Sequence, residues 1–193
     1  MKDLCFVTGN QNKFKEVKKL VKTFNLISLN DLNFSDEIQE TDPSIKGNAF
    51  IKANFIHKKY NLDCFSDDTG LFIDCLDGEP GVRSARYAGD NSSSDDNIKL
   101  VLNKLKFKKN RFAHFQTIIC LILHDKIEYF EGIIGGKITK TPLGDHGFGY
   151  DPIFMPMDSN KTFAQFSLEE KNKVSHRAIA TRKLIKYLNN FSL

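Results

Sequence analysis

Apolar and polar positions fall in blocks along the chain, and the blocks predict strands and helices in mixed order. The first block, Leu4 to Val7, is short, continuous and apolar and ends at Thr8-Gly9-Asn10, as a buried strand leaving through a glycine turn does. Behind it Phe14, Val17, Leu20, Val21 and Phe24 recur at helical spacing, with Lys and Glu on the opposite face. Leu26 to Leu29 reads as a second strand, followed by a polar, acidic loop over residues 30–44. A helix is expected from Ile45 to Tyr60, with Ser44 as its N-cap after Pro43 and Ala49, Ala53, Ile56 and Tyr60 inward.

Two short strands, Cys64 to Ser66 and Leu71 to Cys75, flank Asp67-Asp68-Thr69-Gly70, which reads as a tight polar turn. Residues 77–94 are a long loop, and a helix is expected from Asp95 to Leu105. Ala113 to Leu123 and Ile127 to Ile134 predict two long strands joined at His124-Asp125. A glycine-rich loop spans Gly144 to Asp151. The last helix, His176 to Asn190 with Ser175 as its N-cap, carries Ala180, Leu184, Leu188 and Phe191 on one stripe. No repeat or linker interrupts this order. The expected fold is therefore α/β over residues 1–193 as a single domain: a long mixed β-sheet flanked by helices, with two lobes and a central cleft.

Composition narrows the class. At 193 residues, 40% apolar and 27% charged, the chain suits a globular domain with a real core. Its net charge of +4 favours anionic ligands weakly. The lysine runs at 18–22 and 104–109 lack interleaved aromatic platforms and read as solvated surface, not a nucleic-acid patch. Cys5, Cys64, Cys75 and Cys120 sit in apolar runs with no metal-ligand spacing, so buried reduced thiols and a cytoplasmic setting are expected. The first apolar run is too short for a signal peptide, and no stretch suits a membrane span.

Four polar segments lie where core elements end, and there the candidate chemistry concentrates. Thr8, Gly9, Asn10 and Lys13 stand at the start of a helix, where backbone N–H groups and the dipole favour an anion; the spacing is not that of a Walker loop, and an ordinary strand-to-helix turn would read the same. Glu37, Glu40, Asp42, Asp67 and Asp68 supply hard oxygen ligands suited to Mg²⁺, although adjacent strand residues point opposite ways. Asp68 is taken as the inward acid, against the alternative of turn-capping aspartates. In Gly144 to Pro152, glycines around Phe148 and Tyr150 suit a loop presenting a ring to a flat ligand, or one whose aromatics turn into the core. Finally, His176 and Arg177 put positive charge at a helix N-terminus. That opposes the dipole and calls for an anionic partner, either a functional one or simply Glu169 or Glu170.

In order and spacing these segments resemble the inosine triphosphate pyrophosphatase, or Ham1-like, family across nearly the whole chain. The residues that carry the likeness are Thr8-Gly9-Asn10 with Lys13, Glu40-Thr41, Asn48-Ala49 with Lys52-Ala53, and Ser66 to Leu71 running on to Pro80 to Tyr87. Gly147 to Pro152, Glu169 to Asn172 and Ser175-His176-Arg177 complete it.

The resemblance implies a homodimer with an elongated two-lobed sheet. It also implies cleavage of ITP, dITP or XTP to the monophosphate and pyrophosphate, with Mg²⁺ or Mn²⁺. By the same resemblance Thr8, Gly9, Asn10, Lys13 and Lys52 serve the phosphates, and Asp68 is the catalytic acid that binds metal with Glu40 beside it. Thr69 touches substrate; Phe148, Gly149, Tyr150 and Asp151 serve the nucleoside; Lys171, His176 and Arg177 complete the base pocket.

Three positions depart from the family pattern. Thr69 replaces the commoner Ser, Leu143 stands where Arg or Ala is frequent, and Gly47 stands where Glu is frequent just before Asn48, which leaves Glu40 or Glu37 to assist the metal. Two rivals are a Maf-type pyrophosphatase, which lacks the Ser-His-Arg and Phe-Gly-Tyr-Asp blocks, and a non-catalytic nucleotide sensor or RNA-binding module, for which paired acids near phosphate have no use.

Overall fold

A computed structural model describes residues 3–22 and 24–191, the Phe191 side chain excepted, so the place of Phe191 on the last helical stripe lies outside the described residues. Strands β1 (Asp3–Val7), β2 (Asn25–Ile27), β3 (Cys64–Ile73), β4 (Pro80–Gly81), β5 (Phe112–Leu123), β6 (Lys126–Ile138) and β7 (Phe154–Pro156) form one mixed sheet in the order β2-β1-β3-β5-β6-β7, with β4 on β3. Five α-helices occur among the described residues: α1 (Gln11–Leu20), α2 (Ile45–Tyr60), α3 (Ser94–Lys104), α4 (Leu168–Val174) and α5 (His176–Phe191). The fold is thus the mixed α/β class expected, a sheet flanked by helices. None of the helices is long and apolar enough to cross a membrane, among the described residues.

The chain forms two compact units, Met1–Asp68 with Thr117–Gly132 and His176–Leu193, and Thr69–Gln116 with Ile133–Ser175. In the first unit the sheet has helices on both faces, and strand alternation decides which residue meets which helix. Leu4 and Phe6 of β1 and Phe65 of β3 pack with Val17 and Val21 at α1 and with Ala180, Leu184 and Leu188 of α5. Their neighbours Cys5, Val7 and Cys64 turn the other way, onto Ala49, Ala53 and Ile56 of α2. The parallel register that sets this is Cys5 with Cys64, Phe6 with Phe65 and Val7 with Ser66. In the second unit Leu71 and Ile73 pack with Ile98, Val101, Ala113, Phe115, Phe154 and Phe163.

Local signals explain the helix limits. α2 begins and ends at the residues the pattern predicts, with Ser44 Oγ accepting from Gly47 N and Asn61 closing the far end in the left-handed conformation. The β5–β6 link is His124-Asp125, both at positive φ, the twist that a two-residue hairpin turn needs. β6 runs four residues past the predicted end. Residues 77–94 are not all loop, since Pro80–Gly81 pairs antiparallel with Leu71 and Phe72. α4 is an addition to the predicted set; Ser167 and Glu170 start it with a reciprocal capping box.

The expected turn at Asp67 to Gly70 is absent. β3 runs unbroken through Asp67, Asp68, Thr69 and Gly70, and the polar side chains that suggested a turn find ionic partners inside the fold. Sheet pairing serves the backbone there, so no turn is needed to bring both acids to work.

Candidate active site

Alternation along β3 sorts its acids. Phe65 faces α1 and α5, and so does Asp67 two residues on. Ser66 faces α2, where its hydroxyl donates to the Ala49 carbonyl, and so does Asp68. Asp67 is 1% exposed and Asp68 8%.

On the α1/α5 face, Lys13 Nζ lies 3.1 Å from Asp67 Oδ1, and Arg177 Nε donates to Asp67 Oδ2 at 2.9 Å. A second nitrogen of the Arg177 guanidinium donates to Glu16 Oε2 at 2.6 Å. Four charges, three of them buried and Lys13 partly so, are thereby chained as Lys13, Asp67, Arg177 and Glu16. Burial works to raise the Asp67 pKa, but Lys13, Arg177 and Lys52 outweigh it and hold the carboxyl well below the usual range. Burial would lower the Arg177 pKa, yet Asp67 and Glu16 push it up. Lys13 is lowered, chiefly by burial, with Lys52 and Arg177 adding to this and Asp67 opposing it.

The Arg177 charge at the start of α5 thus has its anionic compensation in Asp67 and Glu16. Arg177 is 2% exposed and commits two nitrogens to carboxylates. His176 is equally buried.

Glu16 does not lie on the solvent face of its helix, as the pattern suggested; it is buried beside Val17. A signal for it was present. Lys13 and Glu16, opposite charges three apart, stand one turn before Val17 and Leu20 and so fall in or beside the apolar stripe.

On the α2 face, Lys52 Nζ lies 2.5 Å from Glu40 Oε1 and 3.6 Å from Asp68 Oδ1. Burial raises the Asp68 pKa; Lys52 and Lys13 oppose this, and Glu40 and Asp67 add to it. Lys52 itself is raised: burial is more than offset by Asp68, Glu40 and Asp67. Two carboxylates share one lysine here, and Mg²⁺ is commonly held by one or two carboxylates plus water and substrate phosphates. The donor set of Asp68 and Glu40 fits such an ion. Among the described residues no group of three or more His, Cys, Asp or Glu could hold a metal alone.

At the start of α1 the backbone N–H groups of Asn12 and Lys13 are already taken, both by Asn10 Oδ1, at 2.9 and 3.2 Å. Thr8 Oγ1 accepts from Asn10 N at 3.2 Å. These two first-turn donors close the helix cap, so an anion met here would rely on Lys13 and the dipole more than on them.

The second unit assembles the remaining predicted residues. Asp151 Oδ2 accepts from Phe148 N at 2.8 Å and from Lys171 Nζ at 2.5 Å, and Lys171 Nζ lies 4.7 Å from the centre of the Phe148 ring. Gly147 makes this closure possible: it has φ +76°, and a Cβ there would meet Asp151 Oδ2 at 2.1 Å. Phe148 and Gly149 are half-buried. Of the two readings of this loop, Tyr150 follows the one in which an aromatic turns into the core, and its hydroxyl donates to the Ser84 carbonyl at 2.9 Å. Thr69 follows Asp68 on β3 and is half-buried.

The two aspartates should therefore respond oppositely to neutralisation. Asp67→Asn leaves Lys13 and Arg177 buried without their shared anion, which should cost about 3–5 kcal/mol of stability. Because the folded pKa of Asp67 lies below its unfolded value, that contribution is present at neutral pH and is lost as pH falls below the ordinary carboxylate range. Asp68 has the other sign. Its charge is disfavoured in the fold, so Asp68→Asn should leave the melting temperature unchanged or raised at neutral pH, and any gain should vanish in acid. Thermal melts of both variants across pH check this, and a larger loss for Asp68→Asn than for Asp67→Asn would reverse the assignment.

Comparison with known proteins agrees over the full length. Residues 4–187 match the Ham1 family. A Flavobacterium psychrophilum protein named dITP/XTP pyrophosphatase is 47% identical over 188 residues, covering 97% of this chain and 99% of the relative. One of the same name from Christiangramia forsetii is 48% identical over 187 residues, covering 96% and 98%. The solved structure of a Ham1 protein from Coxiella burnetii superposes with a TM-score of 0.90 at 33% identity, covering 98% of this chain and 100% of the other. With likeness in sequence and in fold running from end to end, the chain belongs to the Ham1 family.

Proposed function

We propose that the chain hydrolyses non-standard purine nucleoside triphosphates, ITP, dITP and XTP, to the nucleoside monophosphate and pyrophosphate, and so cleanses the nucleotide pool. The observation that carries this reading is the division of labour on β3. One buried acid is locked in a cationic network, and its neighbour sits with Glu40 and Lys52, its pKa raised. The relatives' shared name, dITP/XTP pyrophosphatase, supports the substrate class.

In the proposed reaction a water oxygen bonds to the α-phosphorus while the bond from that phosphorus to the bridging oxygen breaks and pyrophosphate leaves. Asp68 accepts the water proton; burial makes its carboxylate a better base than an exposed one. Lys13 and Lys52 offset phosphate charge beside the small exposed loop Thr8-Gly9-Asn10. Asp68 and Glu40 would hold Mg²⁺, with Mn²⁺ as the alternative. Such an ion supplies charge neutralisation and a more acidic bound water.

On the nucleoside side, Phe148 offers a ring for stacking, worth about 1–3 kcal/mol per base. Asp151, fixed by Lys171 and the Phe148 N–H, offers a carboxylate of set orientation. Gly149, Tyr150, His176 and Arg177 complete this side in the proposal. Tyr150 acts there through the loop it anchors, and Arg177 through its hold on Asp67.

A nucleotide panel with separate detection of pyrophosphate and orthophosphate tests the reaction. ITP, dITP and XTP should each release pyrophosphate with Mg²⁺ far faster than ATP, and Asp68→Asn should lower turnover by at least about 10²-fold while remaining folded. Release of orthophosphate alone, or an Asp68→Asn variant near wild-type activity, would sink the mechanism.

The chain is further proposed to work as a homodimer, a reading supported by apolar side chains left exposed on β6, Ile127 and Tyr129 among them. Light scattering at micromolar concentration should give about twice the chain mass. A fully active monomer would overturn it.

A further inference from the structure

The start of α2 is closed by a pair of contacts that ordinarily come from a Ser or Thr at the cap and an acid three residues later. The first contact is present, Gly47 N donating to Ser44 Oγ at 3.0 Å. The acid is not, because position 47 is glycine and the first turn of α2 holds no acidic residue. The second contact is nevertheless made, from the opposite direction along the chain. Asp42 Oδ1 accepts from Ser44 N at 2.8 Å and from Ser44 Oγ at 2.7 Å. Those two hydrogen bonds hold the Asp42 pKa below the usual carboxylate value.

The Asp42 carboxylate also occupies the space above Gly47. A Cβ at position 47 would fall 1.9 Å from Asp42 Cγ and 2.2 Å from each of its oxygens. The main chain of Asp42 is fixed as well: its N–H donates to Asn48 Oδ1 at 2.9 Å, and its carbonyl accepts from Asn48 Nδ2 at 3.1 Å. Asn48 is fully buried on α2, one turn before Lys52. Glu40, two residues before this clamped turn, is the acid that meets Lys52.

We infer that Asp42 is a positioning residue: it supplies from the preceding loop the carboxylate that position 47 lacks, and with Asn48 it locks the turn that holds Glu40 beside Lys52 and Asp68. The inference rests on the proposed reading of Glu40 as a metal-side acid. Positions 42 and 47 are alternatives for one carboxylate. An acid at 42 needs glycine at 47, and an acid at 47 needs a residue at 42 whose side chain leaves the space open.

A double-mutant cycle reads the coupling: wild type, Asp42→Gly, Gly47→Glu and the two combined, each followed by thermal melt and by the Mg²⁺ concentration that half-saturates pyrophosphate release from ITP. Asp42→Gly should lower the melting temperature and raise the half-saturating Mg²⁺ about tenfold, the scale of losing an outer-shell support. Adding Gly47→Glu to Asp42→Gly should restore both, whereas Gly47→Glu alone should restore nothing and worsen both, its side chain displacing Asp42. A lowered melting temperature with unchanged Mg²⁺ dependence would reduce Asp42 to a helix cap and overturn the inference. So would a double variant no better than Asp42→Gly. Glu40→Gln serves as the control. If it leaves Mg²⁺ dependence at the wild-type value, the reading of Glu40 fails and the inference with it; if it raises the requirement and Asp42→Gly does not, the inference alone fails.

Discussion

A carboxylate with two cations on it, sealed from water, is an arrangement that tolerates little movement. Asp67 lies within 3.1 Å of both Lys13 and Arg177, and Arg177 in turn reaches Glu16. Asp67, Arg177 and Glu16 were taken out of water at a cost of several kcal/mol each, so each must keep its partner. The consequence is geometric. β3, the first turns of α1 and α5, and the second turn of α1 are held to one another by charges that cannot be satisfied any other way. The loop Thr8-Gly9-Asn10 opens from this fixed frame, and His176 begins α5 within it.

The same strand then uses its other face for a different end. Asp67 is surrounded until its charge is permanent; Asp68 is buried with less compensation, so its proton affinity rises. Two identical side chains, adjacent in sequence, come to differ in proton affinity because a strand points them to opposite sides, and the proposed reaction uses the second as its base. Lys52 mediates on the second face, its own charge secured by Asp68 and Glu40.

Much of this was legible in the sequence wherever a local rule sufficed. The limits of α2 follow from Ser44 and from apolar spacing, and the hairpin turn at His124-Asp125 from the polar pair between two apolar runs. What stayed hidden depended on partners remote along the chain. Asp67 and Asp68 looked like a turn because nothing near them in sequence neutralises them; Lys13 is 54 residues away and Arg177 is 110. Tyr150 looked available because its acceptor is the main chain of Ser84, 66 residues earlier. α4, of seven residues, is too short for periodicity to declare it. For Glu16 the place beside the apolar stripe was legible, but its counterion was not, since Arg177 stands 161 residues along the chain.

The pairing of β3 with β1 has a meaning beyond hydrophobic fit. A slip of one residue between strands exchanges the faces of every side chain on the slipped strand. Here a slip one way would put Asp68 in the cage of Lys13 and Arg177 but Thr69 beside Lys52, and a slip the other way would put Asp67 beside Lys52 but Ser66 in the cage. Either wrong register thus leaves one cationic place without its acid, and charge itself discriminates. Phe65 discriminates as well: it stacks on Phe6 at 4.6 Å and would be exchanged for the small Cys64 or Ser66. An aromatic pair and a set of ion pairs, read together across two strands, decide which of two chemically identical residues enters the cationic cage.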